Sequence, residues 1–336
     1  MIEFLSPVSK KVVAHREILP DGTLGKQIDL HHNRGDLPDL KNVSFAIVGV
    51  LVNYIGEEVS FNAFRSAFYS LYPGNWSKKI VDLGDIEKGE AVEDTYFALK
   101  TVVSALLKKD IIPLIFGGGQ DTLYAQYRAY DGSPNMVNNF DLGDAEKPIS
   151  NKSYVGKIIV DEPYNLFNYS VLGYQSYFNP PGEIGLMDKL YFDAYRLGAV
   201  TAGIAMVEPV MRDADIVTLD ISAIKSAELS YKNSASPNGF DGREICALAR
   251  YAGISNRVSS FGIYELKDFS QVQSGAMLVA QVLWYFVEGV NFRILDSDFT
   301  DERYYSTYKV PVEAEVLVFK KSHKTGRWWV ELPFIS

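Results

Sequence analysis

Phe116-Gly117-Gly118-Gly119-Gln120-Asp121 closes an apolar run that begins at Ile111 and leads into a helical pattern over 122–129. A strand that breaks into three glycines and reopens as a helix is a βα junction, the place where an open parallel sheet presents polar groups beyond its carboxyl edge. Gln120 and Asp121 therefore stand where a ligand is expected. Phosphate is disfavoured there, because no Lys-Ser/Thr pair follows the glycines and Asp121 repels an anion.

Working outward, further short apolar runs occupy 44–51, 80–83, 136–140, 157–160, 170–174, 216–219 and 258–264, and each reads as a strand. Helical patterns fall at 91–109, 183–197, 242–252 and 274–288, and Gly253 reads as a helix stop. Strands alternating with helices predict an α/β fold, a three-layer αβα sandwich with a mainly parallel central sheet. With no repeat or linker, we expect one domain over 1–336, with 1–43 as an N-terminal extension and 303–336 as a C-terminal β-hairpin extension. In that hairpin, Trp328 and Trp329 point to opposite faces of a strand, so one of them needs covering by the body or by another subunit.

The bulk numbers narrow the function. Of 336 residues, 47% are hydrophobic and 22% charged, which suits a folded globular protein with a sizeable core. A net charge of −9 without a basic run disfavours nucleic acid and anionic membrane as partners. One cysteine, Cys246, precludes an intrachain disulfide and fits a reducing compartment. No leader pattern and no stretch of eighteen apolar residues is present, so a cytoplasmic location is expected.

Two more segments sit at predicted strand ends: Asn139-Phe140-Asp141-Leu142-Gly143-Asp144-Ala145 and Leu219-Asp220-Ile221-Ser222. With the glycine junction, in this order, they resemble the three metal motifs of the arginase, agmatinase and formimidoylglutamase (ureohydrolase) superfamily, nearest its formimidoylglutamase-like branch. Ile80-Val81-Asp82-Leu83-Gly84-Asp85-Ile86, Ala63-Phe64-Arg65 and Ser236-Pro237-Asn238-Gly239-Phe240-Asp241-Gly242-Arg243-Glu244 are similar to other family segments, so the resemblance spans 44–264.

The resemblance implies an arginase-like fold and a pair of manganese ions held by two histidines and four aspartates. Four carboxylates offset two divalent cations, and the paired metals make a nucleophile from water near neutral pH. Residue by residue, the implied ligand positions here are Gln120, Asp141, Gly143, Ala145, Asp220 and Ser222, of which only Asp141 and Asp220 are strong ligands. We therefore expect no cofactor, and a small polar or cationic molecule bound by Gln120, Asp121, Asp144 and Ser222 beside Asp141 and Asp220. The alternative is an active hydrolase of linear amidine or guanidine C–N bonds, with manganese and a site rebuilt around Asp141, Asp144, Asp220 and Glu244. In it Asp141, Asp220 and Glu244 are catalytic. A structural or assembly subunit is a third reading, and homo-oligomers are common in the family.

Each of these residues has a plainer role. The resemblance places Glu244 near a substrate's cationic end, but a first-turn helix carboxylate is also stabilised by the helix dipole. Asp141 and Asp220, at strand ends, suit the capping of loop amides. His31-His32 is read as an exposed loop, Cys246 as a buried structural thiol, and the acidic 296–302 stretch as a solvated loop.

Overall fold

The computed structural model describes residues 2–33, 36–51, 60–132, 135–140, 153–230, 236–266, 273–296, 301–312 and 315–331. They form two compact units, Met1–Asn291 and Phe292–Ser336.

The first unit is built on one large sheet. Its strands are β1 (Leu5–Ser6), β2 (Asp29–Leu30), β3 (Val43–Leu51), β4 (Lys79–Glu87), β5 (Ile112–Gly117), β6 (Asn135–Phe140), β7 (Leu166–Tyr174), β8 (Asp193–Arg196), β9 (Ile216–Asp220) and β10 (Ser260–Tyr264). They run in the order β1-β4-β3-β5-β10-β9-β6-β7-β8, with β2 also on β4. Every pairing is parallel except β1 with β4. Parallel strands covered on both faces need continuous apolar runs, and β3 is buried at six successive positions from Phe45 to Val50 and at Val43, with Ser44 the break.

Helices α1 (Lys10–Ile18), α2 (Leu24–Gln27), α3 (Asn62–Ser70), α4 (Val92–Leu107), α5 (Thr122–Arg128), α6 (Tyr154–Val160), α7 (Pro181–Lys189), α8 (Leu197–Ala202), α9 (Val207–Arg212), α10 (Ser226–Leu229), α11 (Gly242–Ile254) and α12 (Gln273–Asn291) flank the sheet. One core joins Phe64, Phe68, Leu248 and Phe286 of α3, α11 and α12 to Phe45, Leu114 and Phe261. The other joins Leu99, Leu123 and Ile158 of α4, α5 and α6 to Val48, Ile115 and Ile216. These are the two outer layers of the αβα sandwich. The segment before β3 is tied in as well, because β1 and β2 both extend the β4 edge.

Two segments quoted separately from the sequence meet in the interior. Arg65 of α3 donates to Asp82 through Nε at 2.8 Å and Nη2 at 3.1 Å, and its Nη1 lies 2.9 Å from the Asp85 carboxylate. Tyr69 and the Gly84 amide donate to the same Asp82 at 2.8 and 2.9 Å. Arg65 also sits over the Phe116 ring, 5.0 Å from its centroid. The network clamps α3 to β4.

Three local expectations are corrected. Residues 157–160 are helical, not a strand: Ser153 caps α6 by accepting from the Gly156 amide at 3.1 Å. The pattern over 183–197 is two elements, because α7 ends at Lys189, the chain turns through Tyr191 at φ 56°, and β8 pairs with β7. Gly253 is no helix stop, since α11 continues to Ile254.

The second unit is an antiparallel meander of β11 (Tyr305–Val312), β12 (Glu315–Ser322) and β13 (Trp328–Glu331). The expected hairpin is β12 with β13, and β11 adds a third strand. Trp328 packs on Tyr308 with ring centroids 5.0 Å apart, and Trp329 on Tyr305 at 6.1 Å. Each tryptophan therefore has an aromatic neighbour within its own unit.

Candidate functional site

Strand register sets the carboxyl edge. Phe116 is level with Ile263, Ile263 with Leu219, and Leu219 with Phe140, so β5, β10, β9 and β6 end together. The glycines after β5 shape the first turn. Gly117 has φ 89°, and a Cβ there would lie 2.1 Å from Phe61 and 2.7 Å from the Val50 carbonyl. Only glycine lets the chain turn so close to β3.

That turn delivers Gln120 into the interior, 6% exposed, where its Nε2 donates to Thr218 Oγ1 at 3.4 Å. Thr218 and Asp220 share one face of β9, so the amide reaches the face that carries the carboxylate. Asp220 is 7% exposed, and its Oδ1 accepts from the Ser222 amide at 2.7 Å, capping the short 3-10 turn Ile221–Ala223. Gln120, Asp220 and Ser222 thus belong to one edge of the sheet. Asp121, in contrast, is engaged by the Tyr96 hydroxyl of α4. Asp141, Gly143, Asp144 and Ala145 lie outside the described residues.

The sequence reading missed Glu265. It follows β10 directly, takes φ 58°, and accepts from the Gln120 amide at 3.0 Å while donating its own amide to the Gly118 carbonyl at 2.9 Å. Its position one residue past a strand end was the available signal. Among the described residues no group of three or more His, Cys, Asp or Glu side chains is arranged to hold a metal.

Glu244 forms a capping box with Asp241: its carboxylate accepts from the Asp241 amide, and Asp241 accepts from the Glu244 amide, each at 2.8 Å. It also lines a cleft of about 530 Å³ at the ends of β7 and β8, with Gln175, Arg196, Lys225 and Asn238. Gln175 and Asn238 lock the cleft wall. The Asn238 Nδ2 donates to Gln175 Oε1 at 3.0 Å, and the Gln175 Nε2 donates to the Asn238 carbonyl at 3.2 Å. Gly173, at φ 99°, permits this approach, because a Cβ there would strike Phe240 at 2.5 Å. Arg196 escaped the sequence reading because it fell inside the single helix expected over 183–197.

Cys246 is 6% exposed, and burial pushes its thiol up to about 12. The native protein should therefore not react with an aromatic disulfide reagent at pH 8, and one thiol should appear on unfolding. A rapid native reaction would mean that α11 opens.

No family model matches the chain. It is 22% identical to formimidoylglutamase from Streptococcus gordonii over 292 residues, covering 77% of this chain and 88% of that protein. It is 27% identical to formimidoylglutamase from Staphylococcus epidermidis over 248 residues, covering 68% and 78%. Among solved structures, Trypanosoma cruzi formiminoglutamase with manganese superposes with a TM-score of 0.65 at 16% identity, covering 77% of this chain and all of that one. Agmatine ureohydrolase of Thermoplasma volcanium gives a TM-score of 0.63 at 17% identity, covering 83% and 98%. At these identities the superpositions establish the arginase-type fold, and the strand order and the sequence matches agree with it. The chain is a divergent, formimidoylglutamase-like relative of the ureohydrolase superfamily.

Proposed function

We propose that this protein uses the ureohydrolase scaffold to bind a small polar molecule at the carboxyl edge of its sheet, without two-metal hydrolysis. The observation that carries this reading is the buried Gln120 amide held against Thr218, beside an Asp220 whose Oδ1 caps the Ser222 amide. Fitting a metal pair to these donors fails on chemistry. An amide and a hydroxyl are weak, neutral ligands, and Asp220 together with Asp141 supplies two carboxylates where the resemblance implies four to offset two divalent cations. The same groups suit hydrogen bonding to a polar ligand in a partly enclosed site.

The test is elemental analysis after purification without chelator and dialysis against manganese, alongside an assay with formimidoylglutamate and simple guanidines. We expect well under one manganese per chain and no turnover. Two ions per chain with turnover would replace this reading by the active hydrolase, with a site rebuilt around Asp141, Asp144, Asp220 and Glu244. Trypanosoma cruzi formiminoglutamase, which superposes on this chain, was solved with manganese, which makes that the alternative to exclude first.

A further inference from the structure

We infer that one face of the β11-β12-β13 meander is a self-association surface, on which a second copy of this chain packs face to face.

Strand register sorts the side chains of the meander. Tyr308 is level with Phe319, Val310 with Leu317, and Phe319 with Val330. Because residues two apart share a face, Tyr308, Val310, Leu317, Phe319, Trp328 and Val330 form one apolar surface. Leu317 and Phe319 on the central strand are half-buried, whereas Tyr308, Val310, Trp328 and Val330 beside them are 42–47% exposed. The six successive residues Thr307 to Val312 are all exposed, so β11 is open on both faces. An antiparallel sheet tolerates water on one face because its other face buries apolar area, and three strands need that burial to be stable. Here the apolar face itself is open, and an exposed apolar patch of this kind marks an interaction site. Lys321, toward the end of the face, rests its amine on the Trp328 ring, 5.2 Å from the centroid.

Charge and area choose the occupant. Phe292–Ser336 holds seven lysines and arginines and seven aspartates and glutamates, so the net charge of −9 belongs to Met1–Asn291, with 26 basic against 35 acidic residues. Two copies repel through the first unit and not through the second, which makes the meander the surface where they can meet. Strand addition at the β11 edge is opposed by Lys309 and Pro311, since lysine and proline guard an edge, and packing through the face avoids both. The strands β11 and β12 have eight residues each. At about 3.4 Å per residue and about 4.8 Å between strands, the three-stranded face covers on the order of 350 Å². Two such faces, with the relief of their side chains, take about 1,000 Å² out of water, the low end for a specific interface, so the dimer is a micromolar one. Tyr308 and Trp328, packed on each other at 5.0 Å, are its anchors, because a few aromatic residues carry most of the energy of an interface. The same patch on both partners makes a closed two-fold contact, which stops at two chains.

The experiment is sedimentation velocity of the full chain from about 1 to about 100 µM, at low salt and in about 0.5 M sodium chloride. The mass should rise toward two chains with concentration. Salt should strengthen the association, because it screens the −9 on each copy and leaves the apolar contact intact. Val310→Glu and Val330→Glu, on different strands of the face, should each weaken the dimer about tenfold or more by burying a charge without a partner. Thr307→Glu adds the same charge on the opposite face and should leave the dimer as it is. All three positions are exposed, so the variants should keep the native thermal midpoint, and either face variant suffices where the other fails to fold. A chain that stays monomeric throughout would overturn the inference and leave the face to a different partner. An association that salt weakens, that both face variants leave unchanged, or that Thr307→Glu weakens equally would overturn it too.

Discussion

Asp82→Ala should lower folding stability by about 3–5 kcal/mol, the usual cost of removing one partner from a buried ion pair. Asp82 is fully buried and accepts from Arg65 twice, from Tyr69 and from the Gly84 amide. Its loss leaves a guanidinium that is 2% exposed with Asp85 as its remaining carboxylate, and takes the partner of its Nε away. Burial alone would pull the Arg65 guanidinium down, but Asp82 and Asp85 outweigh it and push it up, so it stays charged whatever the cost. Asp85 behaves differently. Burial pushes its carboxyl up against the pull of Arg65, and the neighbouring Asp82 carboxylate adds to the rise. The native state therefore holds that proton more tightly than the unfolded chain, and deprotonating Asp85 costs stability as pH rises past the ordinary carboxylate range. Asp85→Asn should accordingly cost less than Asp82→Ala at pH 7, and its cost should grow as pH falls, because the protonated native carboxyl regains stability that the asparagine does not gain. Urea unfolding of both variants at pH 5 and 7 measures this, and equal costs at both pH values would refute the division of roles.

The second large effect reverses a sequence-based expectation. By helix propensity, Gly253→Ala should stabilise α11 by about 1 kcal/mol. Tertiary packing predicts the opposite sign. A Cβ at Gly253 would lie 2.2 Å from the Phe286 carbonyl oxygen and 2.9 Å from Gly289 Cα, and one at Gly289 would lie 2.4 Å from the Arg250 carbonyl oxygen. These obstacles are backbone and cannot swing away, so α11 and α12 must separate. Separation strains the stacked Phe261 and Phe286 rings, 4.3 Å apart, and the 2.9 Å bond from Arg250 to Glu288. Overpacking of this kind costs roughly 1–3 kcal/mol, so the alanine should be a net loss and Gly253→Val should reach about 3 kcal/mol. Denaturant midpoints decide it, and a raised midpoint for the alanine would show that the two helices part freely.

How far the sequence carried is clear from particular residues. The run ending at Phe116 and the three glycines after it placed a βα junction correctly, because a strand buried on both faces must be apolar throughout and the turn has to reverse at positive φ. The order of motifs was enough to name the superfamily that the relatives and solved structures support. Gln120, Asp220 and Ser222 were legible as strand-end residues for the same reason. Glu265 was not, since it follows β10 without any local pattern to mark it. The error over 157–160 came from a short apolar run whose period does not distinguish a strand from a buried helix turn.

Alternating apolar runs, a net charge of −9 and strand-end polar residues were thus written in the chain itself, because burial and solvation act on each residue where it stands. Tertiary structure alone decided what those residues meet. Arg65 finds Asp82 and Asp85 across 17 and 20 positions, Gln120 finds Glu265 across 145, and Gly253 is small to let Gly289 pass. Such pairings leave no periodic trace in the sequence, since the closure of the sheet, not the neighbouring residues, brings the partners together.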